Sequence, residues 1–105
     1  FEHVVWPALA HRFPKFERTK CKATLPGLYD QNDFDGNAII GPGADGLGNF
    51  HMAAGFSGHG LMHAPGCGRA IAELIVKGGY ETIDLTRFGW QRLADGKPLP
   101  ERGII

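Results

Sequence analysis

The sequence lacks any apolar run longer than a few residues, which excludes a membrane-spanning helix. It lacks a charge surplus as well. Eleven basic side chains cancel eleven acidic ones, so no electrostatic footprint points to nucleic acid or a charged membrane surface. Cysteine is scarce: Cys21 and Cys67 could form one bridge at most, which excludes a disulfide scaffold and reads as two thiols in a reducing compartment. No basic-then-apolar leader opens the chain. It starts at Phe1, so the expectation is a chain that begins inside something larger. At 105 residues there is room for one domain. What the sequence has in quantity is glycine and proline, sixteen and seven. The densest stretch is AAGFSGHGLMHAPG at 53–66, with four glycines and two histidines.

Local pattern gives a coarse map. Val5, Ala8, Leu9 and Phe13 have helical spacing, with Pro7 tolerable in a first turn and Pro14 as the stop. KFERTK reads as a polar connector. KCKATLPGLY at 20–29 alternates weakly around Pro26-Gly27, predicting a bent strand or two short ones. DQNDFDGN is a turn. AII at 38–40 and FHMAA at 50–54, joined by GPGADGLGN, predict an antiparallel hairpin. Pro65 suits the first turn of a helix starting near 61–65, with Cys67, Ala70, Ile71, Leu74 and Ile75 on one stripe and Gly78-Gly79 as its stop. Small residues at Gly66, Gly68, Ala70 and Ala72 predict close packing of that helix. In the tail, TIDL reads as extended and RFGWQRL as a turn of helix.

Three candidate chemistries can be weighed on spacing. GPGADG at 41–46 matches G-x-G-x-x-G literally, but the nucleotide fingerprint needs a helix to follow and here a strand does. The calcium-loop frame counted from Asp30 fails, since Phe34 falls at position 5 and Asp35 at 6; these carboxylates read as turn formers. His59 and His63 lie four apart, with His51 upstream and Cys67 four further on, a spacing that zinc ligands can use. Gly60 and Pro65 are expected to break the shared face, so no metal ligand is assigned. The remaining reading is close approach of a ligand. A strand, a glycine turn and a helix N-terminus present unpaired N–H groups to an electron-rich group, and glycines remove the Cβ atoms that would hold it off.

GFSGHGLMHAPGCGRAIAELI resembles the C-terminal flavin-contacting segment of the D-amino-acid oxidase/sarcosine oxidase family of FAD-dependent oxidoreductases. GLYDQNDFDGNAIIGP is similar to that family's preceding block, and TIDLTRF with the terminal Ile-Ile extends the match along the chain. The resemblance implies an α+β or α/β fragment: short antiparallel strands, then a glycine turn and a helix, completing a two-domain FAD-binding fold of glutathione-reductase type. Residues 1–49 would end the substrate domain. Residues 50–80 would supply the return strand, flavin-contacting turn and helix of the FAD domain, and 81–105 a C-terminal tail. FAD would be bound only together with the remaining N-terminal portion of the same protein, so the isolated piece would be inactive. No nucleic-acid partner and no membrane-spanning segment are expected. The compartment would be intracellular: cytoplasmic in a bacterium, mitochondrial in a eukaryote.

The same resemblance assigns residues. Gly58, His59, Gly60, Leu61 and Met62 would lie beside the flavin, with the helix N-terminus facing its pyrimidine end. His59 and Tyr29 are the catalytic candidates, and Tyr29 and Gly58 would line the substrate cavity, the Gly58 carbonyl accepting from a small amine or amino-acid substrate. Two departures from the family pattern matter. Gly27 stands where some sarcosine oxidases carry the cysteine that binds FAD covalently, which implies non-covalent FAD. Met62 stands where those enzymes carry a lysine beside the flavin, which favours a dehydrogenase over a fast oxidase. The alternatives are a non-catalytic FAD-binding assembly factor for a respiratory complex and a small metal module of His51, His59, His63 and Cys67.

Overall fold

Chain order in the computed structural model, which describes residues 1–44 and 46–103, is helix, hairpin, long helix and strapped tail. The first helix, α1 (Val5–Arg12), holds Pro7 in its first turn as expected, but buries none of its residues. KFERTK is not a plain connector: Pro14–Arg18 winds into a 3-10 turn that folds back on α1, with the Trp6 indole donating to the Phe16 carbonyl at 2.7 Å. The strand expected over 20–29 does not form. Among the described residues no sheet edge runs beside that segment to satisfy its backbone, and Leu25 and Leu28 stand fully in solvent.

The hairpin is present. Strands β1 (Ile39–Pro42) and β2 (His51–Ala54) pair antiparallel, Ile39 opposite Ala54 and Pro42 opposite His51. β1 runs further than expected, through Gly41 and Pro42, and the Gly43 N–H bonds to the Phe50 carbonyl at 2.8 Å to close the loop. Of the G-x-G-x-x-G match, Asp45 lies outside the described residues, as do the terminal Ile104 and Ile105.

α2 (Gly60–Lys77) ends where glycine predicts, Gly78 taking the left-handed conformation at φ 74°. Its start is a correction. The helix begins at Gly60, so Pro65 sits inside it rather than in the first turn. The missing N–H would have served the carbonyl of Leu61, a residue 92% exposed, so water can take that bond. The predicted stripe is only partly right. Cys67 and Ala70 are buried, with Ile71 packed on the same core, but Ile75 is exposed. At 100° per residue Ile75 lies roughly 80° around the helix from Cys67 and 140° from Ala70. Gly68 and Ala72 are likewise exposed, so the expected close packing reaches only Gly66 and Ala70.

The core is small: Ala38 and Ile40 from β1 and its approach meet Cys67 of α2, with Phe56, Leu85 and Phe88 against them. The tail supplies the last two of these through a 3-10 turn at Thr86–Phe88 and a short helix α3 (Gln91–Ala94), close to the expected turn of helix. TIDL forms no strand. The overall radius of gyration is 17.9 Å, whereas a compact chain of this length would show about 13 Å.

A buried ion pair ties the tail down. Arg92 Nε donates to Asp35 Oδ2 at 2.7 Å and Nη2 to Oδ1 at 3.0 Å, with side-chain exposures of 7% and 0%. Arg92 also donates to the carbonyls of Asn37 and Ala38, and Asp35 accepts from the Leu99 and Asn37 N–H groups. Burial pushes the Asp35 carboxyl up, but these donors outweigh it and hold it below its ordinary value. Within α2, the buried Glu73 accepts from Thr82, Glu81 and Arg69, and its carboxyl is held far below the usual range, first by the Thr82 hydroxyl.

Arg92→Met should cost about 3–5 kcal/mol in urea unfolding, because it strands a buried carboxylate. Both depressed carboxylates stabilise the fold above their unfolded pKa values. The wild type should therefore lose stability as pH falls through the folded values, below the ordinary carboxylate range. Arg92→Met should flatten that acid limb, and an unaltered limb would exclude the pair as its source.

Candidate functional site

The residues leaving β2 cannot be an ordinary turn, because three of four in succession take positive φ: Gly55 at 72°, Ser57 at 50° and Gly58 at 96°. For serine this conformation is uncommon, and its surroundings hold it there. Ser57 is wholly buried, its N–H donating to the Asp30 carbonyl at 3.3 Å and its Oγ accepting from the Asn32 N–H at 3.3 Å. Asp30 Oδ2 accepts from the N–H groups of Gly55 (2.7 Å) and Phe56 (3.1 Å). DQN at 30–32 is thus a clamp on a turn twenty-five residues away, not only the local turn its composition suggests.

The clamp explains the glycines. A Cβ on Gly55 would come within 3.0 Å of Asn32, and one on Gly58 within 3.0 Å of the Tyr29 ring. Tyr29 and Gly58, paired by the sequence reading, are therefore in contact. Gly60 is different: its φ is ordinary and an added Cβ would meet Phe56 at 3.4 Å.

At the start of α2, the His59 N–H bonds to the Phe56 carbonyl at 2.9 Å, and no side chain caps the helix. The N–H groups of Gly60, Leu61 and Met62 then have no intrahelical acceptor and carry the positive end of the helix dipole. The side chains of Leu61 and Met62 are exposed beside them. Because α2 begins at Gly60, His59 and His63 do share a face, contrary to the expectation that Gly60 and Pro65 break it. Their rings stack with centroids 5.6 Å apart and planes 13° from parallel. Among the described residues no group of three or more His, Cys, Asp or Glu is arranged to hold a metal ion. Cys67 lies a turn further on, buried, its thiol pushed up by desolvation, and Cys21 is exposed; neither is bridged.

A cavity of about 380 Å³ opens between α2, β1 and the tail. Ile40, Phe56 and Phe88 supply apolar wall, and His59, Met62 and His63 border it from the helix. Tyr29 does not line this cavity, so the sequence-assigned residues divide: Tyr29 meets Gly58 on one side, while His59 and Met62 face the cavity on the other. Glu101 also lines it, a residue that sequence reasoning missed. Its N–H bonds to the Asp35 carbonyl at 2.9 Å. The Gly103 N–H above all, with the His59 and His63 charges contributing, holds its carboxyl below the ordinary value. No local pattern marks Glu101, because its position depends on the tail strap sixty residues from β1.

A two-stranded antiparallel sheet, a left-handed glycine turn and an uncapped helix end make up a small α+β module. The chain belongs to the DAO family of FAD-dependent oxidoreductases, whose model matches residues 2–74. It is 48% identical over its whole length to the FAD-dependent oxidoreductase domain-containing protein 1 of Xenopus laevis, and 43% identical to that of Bos taurus, covering 21% of each. It thus spans about a fifth of the length of these curated relatives. A 58-residue stretch, 51% of the chain and 7% of the relative, is 36% identical to the 4-methylaminobutanoate oxidase (formaldehyde-forming) of Paenarthrobacter nicotinovorans. No solved structure matches.

Gly58→Ala should destabilise the protein by about 1–3 kcal/mol, through positive-φ strain and the clash with Tyr29. Gly60→Ala should cost clearly less. Equal losses in urea unfolding would show that the turn does not depend on the Tyr29–Gly58 contact.

Proposed function

We propose that this chain supplies the flavin-contacting turn of an FAD-dependent oxidoreductase that oxidises a C–N bond of an amine or amino acid by hydride transfer. The observation that carries the reading is the run of unpaired N–H groups at Gly60, Leu61 and Met62, approached over a glycine turn whose Cβ positions are excluded. Those donors fit the acceptor-bearing edge of a flat, electron-accepting ring. Bound FAD would supply the electron-accepting chemistry. The protein's part is electrostatic: aligned N–H dipoles and the helix end stabilise negative charge at the ring edge they face. Gly58 and His59 would lie beside the ring, Tyr29 would border the substrate from the Gly58 side, and the Gly58 carbonyl would accept from a substrate amine.

FAD would be held non-covalently, since Gly27 offers no sulfur and open space surrounds it. The division of 1–49, 50–80 and 81–105 between substrate domain, FAD domain and tail belongs to the same reading. So does dependence on an N-terminal portion, without which the piece would be inactive. The bare face of α2, with Leu61, Ile75 and Val76 exposed, supports such a partner. An intracellular compartment, mitochondrial in a eukaryote, completes the proposal; among the described residues no helix is long and apolar enough to cross a membrane.

The full-length polypeptide containing this chain should purify yellow and bleach anaerobically with an N-methyl amino acid or a simple N-methyl amine. A folded, colourless protein would overturn the flavin reading. A yellow protein that neither substrate reduces would leave the assembly-factor reading in its place. Met62→Lys should speed reoxidation by oxygen, because it puts a cation beside the ring; stopped-flow rates equal to wild type would show that position 62 is not next to the flavin.

A further inference from the structure

The weak alternation over 20–29 is strict in its first part, KCKATL at 20–25: Lys20, Lys22 and Thr24 alternate with Cys21, Ala23 and Leu25. In extended backbone successive side chains point to opposite faces, so this order makes one polar face and one apolar face. The segment is nevertheless bare. Every residue from 20 to 29 is exposed, with Leu25 and Leu28 fully in solvent. No helix, turn or bend interrupts it, and no residue in it takes positive φ. Among the described residues its N–H and C=O groups make no backbone hydrogen bond, and the Ala23 carbonyl takes only the Cys21 thiol, at 3.6 Å. An apolar face and a free backbone edge on one short stretch are what a strand presents when its sheet is missing.

The sheet of this chain does not take it, since β1 and β2 pair only with each other. The length of the relatives indicates what does. The chain covers 21% of each, so most of such a polypeptide lies outside these residues and has room for the sheet. Pro26 bounds the strand, because it has no N–H to give to a ladder. Three residues further on, Tyr29 lies against Gly58. A sheet that takes KCKATL therefore also fixes the approach to the glycine turn.

We propose that KCKATL becomes a strand of a sheet supplied by the remaining portion of the same polypeptide, with Cys21, Ala23 and Leu25 packed inward and Lys20, Lys22 and Thr24 facing water. This assignment rests on the dependence on that portion described above, not on the flavin chemistry. The strand gains there the backbone partners and the apolar cover that it lacks in the chain alone. Its lysines mark the face that stays wet, and keep that face from stacking on a second apolar layer.

The test is a maleimide pulse on the full-length polypeptide, followed site by site through peptide masses, in wild type and in Lys22→Cys, Ala23→Cys and Thr24→Cys. Dividing each rate by its value in urea cancels intrinsic thiol reactivity. Cys21 and the Ala23→Cys thiol should label at least about tenfold more slowly than the Lys22→Cys and Thr24→Cys thiols, because a packed thiol reacts only on opening. Should Ala23→Cys fail to fold, Cys21 against Lys22→Cys carries the same comparison. In wild type, at least about half of the amides in 20–25 should exchange tenfold or more slower than in the unfolded chain. Equal labelling at all positions, slow and fast positions out of alternation, or amides that exchange as in the unfolded chain would each overturn the proposal. Protection that disappears on dilution would also overturn it, by assigning the strand to a sheet between two copies. Neither readout sees FAD. A colourless protein that shows the alternation fails only the flavin reading, and a yellow protein without it fails only this one.

Discussion

The ion pair between Asp35 and Arg92 is the constraint on which the rest of the architecture depends. The apolar core is a handful of residues, too few to close the molecule alone, and the two ends of the pair come from segments fifty-seven residues apart. Burying two charges is costly unless every donor and acceptor finds a partner. Here Arg92 bonds the carboxylate twice and reaches several backbone carbonyls, while Asp35 takes N–H groups from both sides. The pair therefore specifies one path for the tail over β1. That path puts Leu85 and Phe88 into the core, sets the far wall of the cavity, and delivers Glu101 to its edge.

A second polar device works at the other end of the same segment. Asp30 and Asn32 hold the turn after β2 through four hydrogen bonds, and they force a serine into a conformation normally left to glycine. The glycines alone would make the turn possible without making it unique. The clamp selects one shape, and the Tyr29 ring against Gly58 completes it. The segment 29–37 thus holds both the turn that begins α2 and the tail that faces it, so the two walls of the cavity are referenced to one stretch of backbone.

What the sequence revealed follows from the range of the interactions. The hairpin, the glycine stop of α2 and the glycine turn were legible because each is encoded within a few residues. Tyr29 and Gly58 were paired only through family resemblance. Asp30, Asn32, Ser57 and Glu101 were not legible as a set, since their partners lie twenty-five or more residues away. Two errors have a local origin. Pro65 was read as a first-turn proline because that placement costs least, yet an exposed carbonyl at Leu61 tolerates it deeper in the helix. The alternation at 20–29 was real, but a strand needs an edge to pair with, and none is offered there.

The corrected start of α2 changes the electrostatics of the site more than its shape. Had the helix begun near Pro65, the free N–H groups would have lain past the histidines, and His59 would have belonged to a loop. Beginning at Gly60, it puts the unpaired donors at Gly60, Leu61 and Met62, with His59 stacked on His63 at the helix edge. The backbone dipoles at this end are fixed and do not titrate, so the donors that the turn leaves free keep their positive potential at any pH at which the fold persists.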